Sequence, residues 1–204
     1  MYTKAKIFNL ALGALLLNKR IADVDTDTSV ENMTLNVHYD TAFRATLQDL
    51  DLDGTSTQKI LELIEEEPTD LWLFAYKYPT DCAFFRRIQS EVLKDGRTTQ
   101  IKKRIAIHNG VKAIFTNQED AIIEYISHDI SLTLLSASAG LAVAYKLAML
   151  ASPLISGKGA GPLRKEIQGL YLISKAEAQE HDRMENSDFD SDNEMSEFVE
   201  ARTE

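Results

Sequence analysis

The sequence predicts a mainly α fold of α+β class: an antiparallel helical bundle with a β-hairpin or meander insertion and an extended C-terminal tail. Three observations predict it. Apolar residues recur at helical spacing toward both ends, short aromatic and β-branched runs broken by turn residues fill the middle, and hydrophobicity collapses from Asp182 onward. The 204 residues, 44% of them hydrophobic, suffice for one large or two small domains with a core. The pattern divides them into an N-terminal helical pair at 1–54, a strand-rich region at 55–128, a C-terminal helical pair at 129–181 and an acidic extension at 182–204.

The first helix is the apolar run Ile7 to Leu17, with Ile7, Leu10, Ala11 and Ala14 on one stripe and Lys19-Arg20 suiting its C-terminus. Lys4 and Lys6 before this run imitate a secretory leader. No small-residue cleavage pattern follows, and Asn9 and Gly13 interrupt the run, so a buried helix is the expectation. Thr28-Ser29-Val30-Glu31 reads as a capping box with Thr28 as the cap, opening a second helix striped by Leu35, Tyr39, Ala42, Phe43 and Leu47. That helix stops in the aspartate-rich turn at 49–54.

From Thr57 to Ile126 the pattern becomes strand-like. Asn109-Gly110 is the preferred pair for a type I′ turn, so residues 104–115 form a hairpin. Ile105 and Ile107 then share a face with Lys112 and Ile114, and Ala106 and His108 share the other with Val111, Ala113 and Phe115. Neither face is fully polar, which suggests that both are covered. A turn at Asn117 to Asp120 leads to Ala121–Ile126, expected as the third strand of a meander, and Pro68 and Pro79 bound a further strand, Leu71 to Tyr78.

Ser131 to Ala151 is expected as the central helix, because its alanines and Gly140 let neighbours approach, with Pro153 ending it. Its serines, Thr133 and Lys146 suit a core helix better than a membrane span. A glycine-rich link leads to Pro162, the expected first position of a last helix with Leu163, Ile167, Leu170, Tyr171, Ser174 and Ala178 on one stripe.

Charge narrows the function. Twenty-two Lys and Arg against 32 Asp and Glu give a net charge of −10, against a broad phosphate-binding surface. Residues 182–204 hold nine acids and two arginines, so most of this excess belongs to the extension. The extension cannot fold alone, yet Phe189, Met195, Phe198 and Val199 punctuate it as a docking segment would require. One cysteine, Cys82, excludes an internal disulfide and a Cys₄ zinc site; it reads as a core residue with its thiol pKa raised by Asp81.

Glu65-Glu66-Glu67 and the aspartates near Asp51 could supply a glycosidase pair, but sequential carboxylates diverge and read better as a solvated run. Asp49-x-Asp51-x-Asp53-Gly54 opens like a calcium loop but has no ligand at the twelfth position. The four histidines are scattered, and Gly157 to Gly161 lacks the Lys-Ser/Thr of a phosphate loop and reads as a hinge. No catalytic, cofactor or metal residue is predicted.

Trp72-Leu73-Phe74-Ala75-Tyr76-x-Tyr78-Pro79-x-Asp81-Cys82, following Glu65-Glu66-Glu67-Pro68, resembles the strand and turn of the head-to-tail adaptors of short-tailed bacteriophages, the tail tubular protein A family. Further landmarks keep the family's order: Ala11-Leu12-Gly13, Tyr39-Asp40-x-x-x-Arg44, Ile114-Phe115-Thr116-Asn117 before Tyr125, the alanine-rich helix around Leu141 to Leu150, and Ser196-Glu197-Phe198-x-x-Ala201-Arg202. The chain departs from the pattern at Leu50 to Gly54, where the family has a Trp-Phe-Ala run.

The resemblance implies a non-enzymatic virion protein at the head-tail junction, assembled in the host cytoplasm as a ring, commonly twelvefold, beneath the portal. It would continue the DNA channel and help retain and eject the genome, which passes without specific binding. Its partners are then the portal protein, the downstream nozzle-type tail protein and further copies of itself, with no membrane and no cofactor. Phe189, Met195, Phe198, Val199 and Arg202 are the expected portal interface, and Trp72, Asn109 and Gly110 the expected lower or inter-subunit interface. Two other readings stand beside it: a peptidoglycan-cleaving virion enzyme drawing acid and base from Asp49 to Glu67, and an acidic module that interacts with a host protein.

Overall fold

The computed structural model describes residues 1–89, 101–157 and 160–186. It is α+β, with four helices and two antiparallel sheets. The chain forms two compact units: Met1–Gly54 together with the chain from Ser131 onward, and Thr55–Ile130.

The helical unit contains α1 (Lys4–Ala14), α2 (Val30–Leu50), α3 (Ala137–Ile155) and α4 (Ala160–Asn186), with α3 packed against the other three. Thr3 caps α1 by accepting from the Lys6 N–H. This helix ends at Ala14 rather than near Lys19-Arg20. Leu16 adopts φ +59°, and N–H groups of Leu16 and Leu17 return to the carbonyls of Gly13 and Leu12, closing a Schellman motif. The buried stripe is turned toward Phe8 and Leu12 rather than Leu10 and Ala14. Asn9, which looks like an interruption, grips the following loop: its amide donates to the Ile21 carbonyl and its oxygen accepts the Ile21 N–H, both at 2.8 Å.

The α2 cap is Ser29, one residue later than expected, and Glu31 pairs with Lys19 instead of reaching back. Leu35, Ala42, Phe43 and Leu47 are buried as the stripe requires, with Tyr39 half-buried. Serine also resets α3, which begins after the cap Ser136 rather than at Ser131 and runs through Pro153. Proline leaves the Met149 carbonyl without its N–H donor, and the Ser152 hydroxyl donates to that carbonyl instead, at 3.0 Å. By length and composition α3 could cross a membrane; half of its apolar window is buried here in the helical unit. Gly140 makes room for the Tyr2 ring, because a Cβ there would stand 2.3 Å from that ring, whose hydroxyl donates to the Ala137 carbonyl.

In α4, Ile167, Tyr171, Ser174 and Ala178 are buried, but Leu170 is exposed. The helix starts two residues before Pro162 and continues past Asp182, the expected start of the extension, to Asn186. The reason is a pair of ties to the end of α2. The Asp182 carboxylate accepts the N–H groups of Asp53 and Gly54 at 2.8 and 3.0 Å, and the Gln179 amide donates to the Leu50 carbonyl.

The β unit has strands β1 (Ser56–Ile60), β2 (Leu63–Thr69), β3 (Trp72–Lys77), β4 (Cys82–Ile88), β5 (Lys103–His108), β6 (Val111–Thr116) and β7 (Ile122–Ser127). They form a three-stranded sheet of order β1-β7-β4 and a four-stranded sheet of order β2-β3-β6-β5. The β5–β6 hairpin turns at Asn109 and Gly110 with φ +49° and +79°, and pairs Ile105 with Ile114 as the turn dictates. The meander does not form, because β7 leaves this hairpin for the other sheet, between β1 and β4. Tyr76 and Ile114 of one sheet meet Ile88, Ile123 and Tyr125 of the other in one core, so β7 supplies the second layer. The strand expected between Pro68 and Pro79 is β3, and Pro68 itself lies inside β2, an edge strand tolerant of its missing N–H. Cover is unequal along the hairpin: β6 is buried on both faces from Ala113 to Thr116, whereas β5 leaves Ile105 and Ile107 40% and 78% exposed.

Candidate functional site

Chemistry-bearing side chains in the β unit gather in three places. The first is the turn between β3 and β4. The Asp81 carboxylate accepts hydrogen bonds from the hydroxyls of Tyr125 (2.8 Å) and Ser127 (3.0 Å), and the Asp81 carbonyl accepts the His128 N–H. Burial pulls the Asp81 carboxyl upward, but the two hydroxyls outweigh it and hold it below its ordinary range. Cys82 is half-buried with its Sγ 3.1 Å from the Tyr78 hydroxyl; burial, aided by Asp81, pushes the thiol up, which opposes reactivity. The Lys112 ammonium sits 3.5 Å above the Tyr78 ring. These contacts join the strand ends on either side of the turn and leave no activated nucleophile.

The second is on the outer layer of the three-stranded sheet. A register shift between Phe85 and Arg87 inserts an extra residue in β4, so Arg86 and Arg87 both reach Glu124 of β7, at 3.3 and 2.8 Å. Glu124 is 7% exposed, and the arginines neutralise a charge that would otherwise be costly to bury. Beside them the Lys103 ammonium donates to the Arg86 carbonyl and lies 3.5 Å above the Phe85 ring, and burial lowers its pKa.

The third is the four-stranded sheet. Ala75, Ala113 and Phe115 form a small cluster on the face away from the shared core, joined by Ile64, Trp72 and Ala106. His108 lies edge-on to Phe115, and its Nε2 is 2.6 Å from Glu65 Oε2. Glu65 reaches His108, a residue 43 positions away, although β3 and β6 lie between their strands in the sheet order. The sequence had no local signal for that meeting; Glu65 reads as part of a charge run and His108 as a solitary histidine.

In the helical unit, Asp49 of α2 accepts from the Tyr171 hydroxyl of α4 at 2.6 Å and from the Lys146 ammonium of α3 at 3.1 Å. Burial raises the Asp49 carboxyl, but Tyr171 and Lys146 together overcome it and hold the group low. This aspartate ties three helices. Among the described residues no cluster of three or more His, Cys, Asp and Glu is placed to hold a metal.

Of the expected interface residues, Asn109 and Gly110 are exposed at the hairpin tip. Trp72 is half-buried at the start of β3, beyond the Phe74–Thr116 pair and thus at the opposite end of the sheet from that tip. The structure therefore does not bring Trp72 and the tip together. Phe189, Met195, Phe198, Val199 and Arg202 lie outside the described residues. Of the carboxylates considered for acid-base catalysis, Asp49 is engaged with Tyr171 and Lys146, and Glu65 with His108. No protein-family model matches the chain, and no curated protein matches it.

Proposed function

We propose that the chain is a head-to-tail adaptor of a short-tailed bacteriophage, a non-enzymatic virion protein that forms a ring, commonly twelvefold, between the portal and a nozzle-type tail protein. In this reading the helices form an antiparallel bundle, the β unit is its insertion, and the C-terminal segment is an extended tail that orders on the portal. DNA slides through the lumen without specific binding, and the ring assembles in the host cytoplasm before taking its place at the head-tail junction.

The observation that carries the reading is the resemblance across the turn motif Tyr76 to Cys82, whose residues are engaged in fixing a turn rather than in presenting a reactive group. Support also comes from the chain's path: it builds two helices, then a contiguous β unit, then two helices, and continues as a segment with seven acids and one arginine after Asn186. In this reading Phe189, Phe198 and Val199 are buried against the portal, where Arg202 can make a bidentate contact.

The test is binding to purified portal rings by the full chain and by a chain ending at Asn186. Cutting at Asp182 instead would remove the carboxylate that holds the end of α2. The proposal expects the shortened chain to keep its circular dichroism spectrum and to lose portal binding by ~100-fold or more, the range for losing several interface anchors. Equal binding by both chains would overturn it.

A further inference from the structure

We propose that neighbouring copies of this chain join through opposite edges of the four-stranded sheet, the β5 edge of one copy against the β2 edge of the next. This names the subunit contact of the ring proposed above and rests on that reading for ring closure, while the contact itself rests on the sheet.

Register carries the inference. Antiparallel pairing aligns Glu65, Ala75, Phe115 and Arg104 in one row across the sheet, and Glu66, Phe74, Thr116 and Lys103 in the next. Each row begins on a carboxylate at β2 and ends on a cation at β5. Glu67 and Asp70 extend the acidic edge, Lys102 extends the basic one, and all three are exposed. Among the described residues β2 pairs only with β3, and β5 only with β6. Both edges also expose apolar side chains: Ile105 and Ile107 on β5, Leu63 on β2 and Leu73 on the adjoining β3.

Charge on an edge strand ordinarily keeps copies apart, because two identical edges repel. Here the edges carry opposite signs. β2 repels β2 and β5 repels β5, but β2 attracts β5, so the pattern that blocks symmetric pairing selects a directional one. A directional contact repeats, and it closes into a ring or continues as a filament. Glu65 is already held by His108, and Lys103 by the Arg86 carbonyl and the Phe85 ring, within their own copy, so Glu66 and Glu67 are the carboxylates offered to the neighbour's Lys102 and Arg104. Two register shifts and Pro68 interrupt β2, so paired side chains, more than a long main-chain ladder, make the contact.

The test is sedimentation velocity of the full chain, alone and with portal rings, using edges of reversed charge. One variant carries Glu66→Lys and Glu67→Lys; the other carries Lys102→Glu and Arg104→Glu. Each alone is expected to self-associate at least ~10-fold more weakly than the unaltered chain. An equimolar mixture of the two, in which every β2–β5 junction is again of opposite sign, restores association, as does one chain carrying all four changes. Circular dichroism checks each fold, and Glu66→Gln with Glu67→Gln replaces a reversed chain that fails to fold, with weakened association expected and unchanged association contradictory. Unaltered association of both variants, a mixture that stays dissociated, or an unaltered chain that remains single both alone and on portal would overturn the contact. Rings on portal that are indifferent to reversal defeat the edge contact and leave the adaptor reading standing. Edge-dependent association without portal binding defeats the adaptor reading and leaves the contact standing.

Discussion

The two units of this chain solve the same problem, holding layers together, by opposite means. The helical unit joins segments far apart in sequence, and its polar ties, Asp49 to Lys146 and Tyr171, Asp182 to Asp53 and Gly54, each span about 100 residues or more. The β unit is contiguous, and its ties, Glu124 to two arginines and Asp81 to two hydroxyls, lock strands of one insertion. The difference teaches where each unit meets the outside. The helical unit draws its helices from both sides of the β unit in sequence, whereas the β unit is one continuous stretch in which, among the described residues, β2 and β5 each pair with a single strand.

The only tryptophan, Trp72, lies in the β unit, and all four helices lie in the other, so fluorescence and helical dichroism report the units separately. The largest separation is expected from Glu124→Ala. It takes the shared carboxylate from Arg86 and Arg87 and lowers stability by about 3 kcal/mol. In urea the fluorescence transition moves and the dichroism transition stays; equal movement of both would merge the two units into one cooperative block.

Gly140→Ala attacks the other side. The new methyl displaces the Tyr2 ring and costs its hydrogen bond to Ala137, about 1–2 kcal/mol, read in the helical transition alone.

Acid sharpens the comparison further. The carboxyls of Asp49 and Asp81 are both held low in the folded chain, so each contributes stability that is fully present above the unfolded value of about 4 and is lost as pH falls through the lower folded value. Acid titration below about pH 4 therefore weakens both units. Asp49→Asn is expected to flatten that dependence only in the dichroism signal and Asp81→Asn only in the fluorescence signal. The smallest effect is a gain: Leu16→Gly relieves a left-handed leucine that is 80% exposed and raises helical-unit stability by about 0.5–1 kcal/mol in thermal melts.

Features written in short stretches of residues were legible. Asn109-Gly110 specifies its own turn, and the hairpin register follows from the two residues alone. The α2 and α4 stripes repeat often enough to place both helices, although Leu170 shows that a stripe can be one residue too wide. What the sequence hid is partner choice. The run 121–126 is equally apolar as the third strand of a meander or as the centre of a second sheet, and only the core shared with Tyr76 and Ile114 decides. Helix ends were obscured for a related reason. Asp182 looks like the start of an acidic tail because its acceptors' partners, two N–H groups after α2, are 128 and 129 residues away. The opposed charges of β2 and β5 became visible only with the strand order, since neither stretch shows that it is an edge, and the Glu65–His108 contact only with the folded positions of the two side chains.

The central claim, that this chain bridges a portal and a tail as a ring, is tested most directly by imaging portal rings incubated with the full chain. The account predicts an added ring on one face of the portal, built of identical subunits that touch through their sheets. Portal rings that emerge bare at saturating concentrations of folded chain would contradict it.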